Sequence, residues 1–454
     1  MKLWGSLKET FRNRELMGTI FHLAWPTIVE QALQTVVSYA DTAQVGAIGA
    51  NASASVGLTT SVMWLVNAPM FAIGMGFLSV ISRALGADDR QTARRAAMQA
   101  IWMTVVLGLV EGVIAVAVSP VLPVWLGAEQ EIQRDAAIYF GIVSLPMLFR
   151  CSTIILASVL RATKNTRTPM IFNTIMNVIN ITLNAILIGP AGLGVAGAAI
   201  ATAIGYAVGG TLMFVSVLRS PVLDLRTMPV RLDWAILKRC LSIGLPIAGE
   251  RITACLGQVL FTALIARLGT VSVAAHSIGI TAEQAFYIPG YGMQTAAATL
   301  CGFSAGEKDE KKLMQYSSAI CVMAVVLMGS LSTLMFFIPE LILGIFTRDA
   351  AVIALGTQLL KIVAFSEPFF AAAIIMEGVF NGVGDTKAPF VISLMTMWGI
   401  RILFTFLVVN VFHLGLASVW LCMVGDNVTR CILLVFRYFR GSWKRRLDLE
   451  PAKA

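Results

Sequence analysis

Twelve long apolar stretches, separated by short polar segments, restrict the fold of this chain more than any other feature of its sequence. A helix needs about 20 residues to cross the hydrocarbon core of a bilayer. Sheet edges and irregular loops cannot face lipid, because their backbone groups would lack hydrogen-bond partners. The sequence therefore predicts an all-α polytopic membrane protein with twelve transmembrane helices. The predicted spans are residues 18–43, 54–81, 93–118, 136–160, 168–190, 195–218, 238–266, 274–302, 314–338, 353–380, 388–412 and 416–438.

The composition agrees with a chain covered by lipid. Only 13% of its residues are charged, whereas a soluble domain has about 25%. Its seven cysteines are scattered without a CxxC pair, and His22, His276 and His413 are far apart in the sequence. We therefore expect reduced cysteines, no metal site, no catalytic residue and no cofactor beyond a transported ion.

Basic residues are distributed unequally between the two sides of the predicted spans. The N-terminus, the C-terminal tail and the connections on their side carry 26 of the 34 lysines and arginines, whereas the opposite connections carry three. Positive charge is enriched in cytoplasmic loops. We predict a multi-pass protein of the cytoplasmic (inner) membrane with both termini in the cytoplasm. The net charge of +9 is thus a topology signal, and no nucleic-acid partner is expected.

The chain repeats itself at an offset of 220 residues. The repeated positions are Pro26 and Pro246, Glu30 and Glu250, Gly49 and Gly269, Pro69 and Pro289, Gly86 and Gly306, and Pro169 and Pro389. Each repeat contains six predicted helices, an even number, so both repeats enter the membrane in the same sense. Two parallel six-helix lobes with a cleft between them are typical of transporters. We predict an N-lobe at 1–218, a cytoplasmic linker at 219–240, a C-lobe at 241–440 and a cytoplasmic tail at 441–454.

Polar side chains within the predicted spans are costly to bury and indicate function. The first span places four on one face of a helix, and the fifth span places four asparagines in the same way. These residues are Glu30, Gln34, Ser38 and Asp41, and Asn173, Asn177, Asn180 and Asn184. Such faces are expected to meet protein or a water-filled cavity. Alternatively, the asparagines join helices by hydrogen bonds, and Asp41 is a solvated residue near the outer surface.

The second repeat has its own polar residues within spans. Glu250, Glu283 and Tyr287 are expected to line a substrate cavity together with Glu30, Gln34, Ser38 and Asn177. In an alternative interpretation, Glu250 and the adjacent Arg251 form structural ion pairs with other groups. Arg401 and Asp426 are predicted to pair across the last two spans.

Prolines within the predicted spans break backbone hydrogen bonds and mark kinks. Pro26 and Pro246 occupy equivalent positions of the two repeats, in the first and seventh spans. We predict that both act as hinges.

Several long motifs resemble the multidrug and toxic compound extrusion (MATE) family. One motif, WPTIVEQALQTVVSYADTAQVGAIG, begins in the first span. A second, LRATKNTRTPMIFNTIMNVINITLNAILIGPAGLGVAGAAIATAIG, covers the fifth span and the beginning of the sixth. The resemblance extends over residues 15–440. It implies two lobes in a V shape and alternating access. It further implies that a monomer exports amphipathic, often cationic compounds in exchange for H⁺, or alternatively Na⁺.

The resemblance is strongest to the branch that contains the DNA-damage-inducible F proteins. It implies that Asp41 binds the coupling ion in the N-lobe, with Asn180, Asn184 and Thr202 as its polar partners. The sequence departs from the family at Asn184, where many relatives carry a second aspartate. It departs again in the tenth span, where the aspartate of the sodium-coupled branch has no counterpart. The corresponding stretch reads SEPFFA, and Glu367 lies one turn earlier.

Three other functions are compatible with a polytopic chain. A lipid or lipid-linked oligosaccharide flippase of the same superfamily would present cations, such as Arg150, Arg251 and Arg401, to a pyrophosphate. A membrane-embedded enzyme needs a metal cluster or an activated nucleophile, which the three separated histidines do not provide. A channel is disfavoured because a two-lobed repeat does not form a ring around a pore.

Overall fold

The computed structural model describes residues 10–225, 231–441 and 443–444 of the chain. Within these ranges the secondary structure is helical, with no strand. In the first half the helices are α1 Arg14–Gly46, α2 Ala50–Gly86, α3 Arg90–Val118, α4 Leu122–Trp125, α5 Gln130–Ser144, α6 Met147–Cys151, α7 Ala157–Ala162, α8 Arg167–Ile188 and α9 Gly194–Leu218. In the second half they are α10 Trp234–Ala266, α11 Thr270–Gly306, α12 Glu310–Phe337, α13 Pro339–Gly344, α14 Ala350–Ala364, α15 Glu367–Val383, α16 Lys387–Thr396, α17 Leu403–Asn410 and α18 Leu416–Arg440.

Each of the twelve predicted spans coincides with a long helix or with a chain of shorter helices. Eight are apolar enough to cross a membrane by themselves, and two bent pairs raise this number to ten. The remaining two are α1 and α11, which have 33 and 37 residues. Both are long enough to span, but their polar residues lower their mean hydropathy. The all-α polytopic prediction is confirmed.

Two spans that the sequence predicted as continuous helices are broken. The helix axis turns by 61° between α5 and the segment Met147–Ala162, and by 53° between α14 and α15. The breaks lie at Leu145–Pro146 and at Phe365–Ser366, and are again 220 residues apart. Pro146 lies in the first break and Pro368 lies two residues after the second, and a proline cannot donate a backbone hydrogen bond to the preceding turn. Pro26 and Pro246, by contrast, lie inside helices that continue across them, so their role as hinges stays a prediction.

Contacts divide the chain into two compact units. The N-terminal unit is Val29–Ala248, and the C-terminal unit combines the chain up to Ile28 with the chain from Gly249 onward. Each boundary falls within a helix, two residues after Pro26 and two residues after Pro246. The same point of both repeats is therefore a structural boundary. The predicted lobe limits at 218 and 241 stay predictions, because these units assign half-helices rather than whole spans.

Glycines allow α11 and α15 to approach closely in the core of the C-terminal unit. A Cβ atom at Gly378 would lie 2.5 Å from the carbonyl oxygen of Gln294, and one at Gly382 would collide with the carbonyl of Ala298. Small residues favour helix association in membranes because they bring the two backbones together. The contact between α11 and α15 thus depends on these glycines.

We expect Gly378→Ala to lower the free energy of unfolding by about 1–3 kcal/mol, because the added methyl group overpacks this contact. Gly18→Ala is the matched control, since a Cβ atom there has no neighbour within 4 Å. Thermal unfolding of the two purified variants in detergent measures the difference. A melting temperature of Gly378→Ala equal to that of Gly18→Ala would contradict the prediction.

Candidate functional site

The N-terminal unit holds Asp41 in a hydrogen-bonded network between α1, α8 and α9. Asn184 donates from Nδ2 to Asp41 Oδ1 at 2.8 Å. With its amide nitrogen turned toward Asp41, Asn180 donates to Oδ1 at 2.8 Å and to Oδ2 at 3.3 Å, and its oxygen accepts from Thr202 Oγ1 at 3.0 Å. In this orientation the amide nitrogen of Asn180 faces acceptors and its oxygen faces a donor. The four residues that the resemblance assigned to ion coupling therefore lie together, while their role stays a prediction.

The network suits a carboxylate that changes its protonation state. Two amide nitrogens stabilise Asp41 as an anion. The oxygen Oδ1 of Asn184 is buried and, among the described residues, receives no hydrogen bond. A protonated Asp41 would become a donor and would need such an acceptor. Because an amide can offer either its nitrogen or its oxygen, Asn184 can serve both states of Asp41 without a change in its own charge.

Two further polar residues, which the sequence reasoning did not assign to this site, lie near the network. The hydroxyl of Tyr139, on α5, is hydrogen-bonded to the side chain of Thr202. Arg150 is buried and donates from Nε to Asn67 Oδ1 at 3.0 Å, and its guanidinium lies 4.7 Å from the ring centre of Tyr206. A lone tyrosine in an apolar span has no periodic signal, so the sequence did not indicate Tyr139.

Glu30 lies in a separate ion pair of the same unit. Its Oε1 atom accepts from Arg161 at 2.6 Å and from Asn173 at 2.5 Å, and the residue is 3% exposed. The asparagine face of α8 is thus divided, with Asn173 on Glu30, and Asn180 and Asn184 on Asp41. Gln34 and Ser38 are exposed, whereas Asn177 is buried. Because Arg161 compensates the charge of Glu30, this carboxylate contributes little negative potential in this structure.

The C-terminal unit contains a buried charge cluster at α18. Arg401 Nε lies 2.8 Å from Asp426 Oδ2, which confirms the predicted pair. Arg430 also binds both oxygens of Asp426, at 3.1 and 3.2 Å, and lies 3.9 Å from Glu377. The sequence reasoning missed Arg430, although its i,i+4 spacing from Asp426 was the available signal. Asp426 is fully buried and joins two arginines.

Glu250 adjoins this cluster. Its carboxyl group is hydrogen-bonded to Ser393 and lies in the electrostatic field of Arg430 and Arg251. Glu377 accepts a hydrogen bond from Gln294 at 3.4 Å. This arrangement agrees with the alternative interpretation of Glu250 as a member of an ion-pair network. Its assignment to the substrate cavity stays a prediction.

Glu283 and Glu367 form a pair of carboxyl groups in the same unit. The two carboxyl groups lie near enough to interact electrostatically, and the residues are 5% and 0% exposed. Among the described residues, neither oxygen of Glu367 has a hydrogen-bond partner. Neighbouring buried carboxyl groups disfavour two negative charges, because the charges would repel each other. Tyr287 packs beside the pair, with its ring edge-on to Phe370 at 5.5 Å.

Over the ranges that the structure describes, no group of three or more histidine, cysteine, aspartate or glutamate residues is arranged to hold a metal ion.

Comparison with known proteins identifies the repeat and the fold. The MatE family model matches the chain twice, over residues 26–186 and 246–407. The chain is 29% identical to the probable multidrug resistance protein NorM of Thermotoga maritima, over 96% of this chain and 95% of that protein.

Two solved structures have the same fold. The chain superposes on the outward-facing conformation of a multidrug resistance MATE family transporter with a TM-score of 0.89, at 21% identity over 94% of this chain and 96% of that one. It superposes equally well, with a TM-score of 0.89, on a MOP superfamily transporter from Pyrococcus furiosus described by a binding pocket of reversed polarity. That identity is 21%, over 95% of this chain and 96% of the other. Since the two family matches together cover more than half of its length, the chain belongs to the MatE family and is a membrane transporter, not an enzyme.

Proposed function

We propose that the chain is a secondary active antiporter that exports amphipathic organic cations in exchange for H⁺. The observation that carries this proposal is the network around Asp41, in which the amides of Asn180 and Asn184 donate to one ionisable carboxylate. The buried amide oxygen of Asn184 receives no hydrogen bond among the described residues. The hydrogen bonds available at such a site differ between the charged and the neutral form of Asp41. Na⁺ is the alternative coupling ion, since carboxylate and amide oxygens also bind hard cations.

Protonation of Asp41 is the proposed coupling step. The carboxylate accepts a proton from the outer side and becomes a neutral carboxylic acid, which now donates a hydrogen bond. The amide of Asn184 then turns its oxygen toward Asp41, and the bonds between α1 and α8 rearrange. Both units begin or end two residues after a helix proline, so Pro26 and Pro246 are the proposed hinges through which this change reaches the rest of the molecule.

The proposed substrate is a small amphipathic cation. The relative from Thermotoga maritima carries the name of a multidrug resistance protein, and the C-terminal unit offers acidic groups within its helices. Glu250, Glu283 and Tyr287 are the proposed cavity residues there, and Gln34, Ser38 and Asn177 are those of the N-terminal unit. Glu30 is the weakest member of the set because Arg161 already neutralises it.

The proposed setting is the cytoplasmic membrane, with both termini inside the cell and the chain acting as a monomer. The distribution of basic residues supports this orientation, with 26 of 34 on the side of the termini. The flippase alternative receives less support. One of the three arginines that it would require, Arg401, is engaged by Asp426 at 2.8 Å.

Reconstituted efflux tests the proposal. We expect proteoliposomes that contain the chain to export a cationic dye such as ethidium when a pH gradient is imposed, and not when a sodium gradient is imposed at equal pH on both sides. Liposomes without protein are the control. Efflux driven by sodium alone would identify Na⁺ as the coupling ion, and efflux driven by neither gradient would contradict secondary antiport.

A further inference from the structure

A pocket of about 610 Å³ opens at one end of the N-terminal unit. The turn from α1 to α2, the first turns of α5 and the turn from α8 to α9 form its walls, and Asn51, Asp135, Ile138 and Gly194 are among the residues that line it. This end is opposite to the basic connections, so the predicted topology places the pocket on the outer side. We call it the outer pocket.

The floor of the outer pocket is a thin apolar layer. Ala52 and Val195 line the pocket and belong to a buried cluster with Val45 and Ala198. Val45 lies one helical turn after Asp41 on α1. These four residues, which we call the apolar plug, therefore stand between the outer pocket and Asp41. An apolar constriction of this kind excludes water while it is closed.

A line of polar side chains passes beside the apolar plug. Asp135 lines the pocket, and Tyr139 follows one turn later on α5 and packs against the plug. The hydroxyl of Tyr139 reaches Thr202, and Thr202 reaches Asn180, which holds Asp41. The line thus joins the outer pocket to the proposed coupling carboxylate through hydrogen-bonding groups.

Asp135 is the acidic side chain that lines this pocket. It has no hydrogen bond or ion pair with other residues in the ranges that the structure describes. The charged neighbours on α5 and just before it are Glu129, Glu131 and Arg134. Glu131 accepts from Asn51 at 3.4 Å. The outer half of α1 adds Asp41 and Tyr39 as ionisable groups, and α3, which also packs against α5, adds Glu111. Inside the unit, Tyr206 and Arg150 lie near Tyr139.

We propose that the outer pocket is the entrance through which the coupling proton reaches Asp41, and that Asp135 is the positioning residue that attracts it. The inference rests on the proposed function of Asp41. Asp135 raises the local concentration of hydrated protons, and the line through Tyr139 and Thr202 leads from the pocket to the carboxylate. The apolar plug closes the direct route from the outer pocket, so the polar groups beside it are the proposed route for the proton.

Asp135→Asn tests the entrance without removing the coupling site. We expect the external proton concentration for half-maximal efflux to rise by about three- to tenfold, with the maximal rate unchanged, because the field at the entrance is weakened. We also expect the difference from the parent chain to shrink at high ionic strength, since salt screens exposed charges. A purely structural role of Asp135 would not produce this salt dependence. Glu340→Gln, an exposed acid in the C-terminal unit, is the matched control.

A second variant tests the pocket itself. In Ile138→Cys, modification with a bulky, membrane-impermeant thiol reagent is expected to block pH-driven efflux, whereas the same treatment of Glu340→Cys and of the parent chain is not. An unchanged pH profile of Asp135→Asn, together with full efflux after modification of Ile138→Cys, would contradict the proposal that the outer pocket is the proton entrance. Asp41→Asn separates the two proposals, because retained efflux in that variant contradicts the proposed function, whereas its loss leaves only the entrance in question.

Discussion

Asp41→Asn is expected to abolish export driven by a pH gradient. The substitution preserves the size of the side chain but fixes it in a neutral form, so that the two amides of Asn180 and Asn184 no longer face a group whose charge changes. Coupling between two ligands usually involves about 1–3 kcal/mol, which corresponds to about 5- to 150-fold in affinity. Loss of that coupling should bring efflux in proteoliposomes to the level of protein-free vesicles.

Two controls accompany this variant. Asp88→Asn tests whether the loss of any aspartate affects efflux, because Asp88 is 93% exposed in a turn and asparagine tolerates its positive φ of 56°. Binding of a cationic dye to purified Asp41→Asn, at an affinity within about threefold of the parent chain, would show that the variant is folded. Undiminished pH-driven efflux of Asp41→Asn would contradict the role given to Asp41.

The helices followed from the sequence because length and apolar composition determine what can cross a bilayer. The bends of the helix axis within a span did not follow from the sequence. The turns of 61° and 53° lie inside stretches that remain apolar on both sides of the break, so hydropathy does not reveal them. Pro146 and Pro368 were visible in the sequence, but Pro26 and Pro246 were equally visible and their helices continue. Packing around each proline decides between these outcomes.

The polar site was predicted in part, for a similar reason. Helical spacing placed Glu30 and Asp41 on one face, and the structure turns both toward asparagines of α8. Spacing does not show that Arg161, at the end of another span, would neutralise Glu30. Nor does it pair Glu283 with Glu367, since the two carboxyl groups belong to helices that are distant in the sequence. Such contacts depend on tertiary packing, which periodicity along one helix does not contain.

The pair of Arg401 and Asp426 was predictable because opposite charges in neighbouring spans have few other partners in an apolar medium.

A large loss of stability is expected when the charge of Asp426 is removed. Asp426→Asn leaves Arg401 and Arg430 buried with much of their compensating charge removed. Removing one partner of a buried ion pair costs about 3–5 kcal/mol, and we expect the free energy of unfolding to fall by this amount. Thermal unfolding in detergent, followed by the loss of monodisperse protein, measures it.

A double variant separates the cost of an unpaired charge from the contribution of the pair itself. Replacing both members by apolar residues, in Arg401→Met with Asp426→Leu, should restore part of the stability, because a buried pair exchanged for apolar residues of similar size is often close to neutral. Asp88→Asn is the surface control, since its partner Arg90 is 77% exposed and 3.8 Å away. An exposed pair of this kind contributes little, so its melting temperature should match that of the parent chain. If Asp426→Asn also melted at the parental temperature, the two arginines would have to be compensated by other groups, and Glu377, which lies 3.9 Å from Arg430, would be the first to replace.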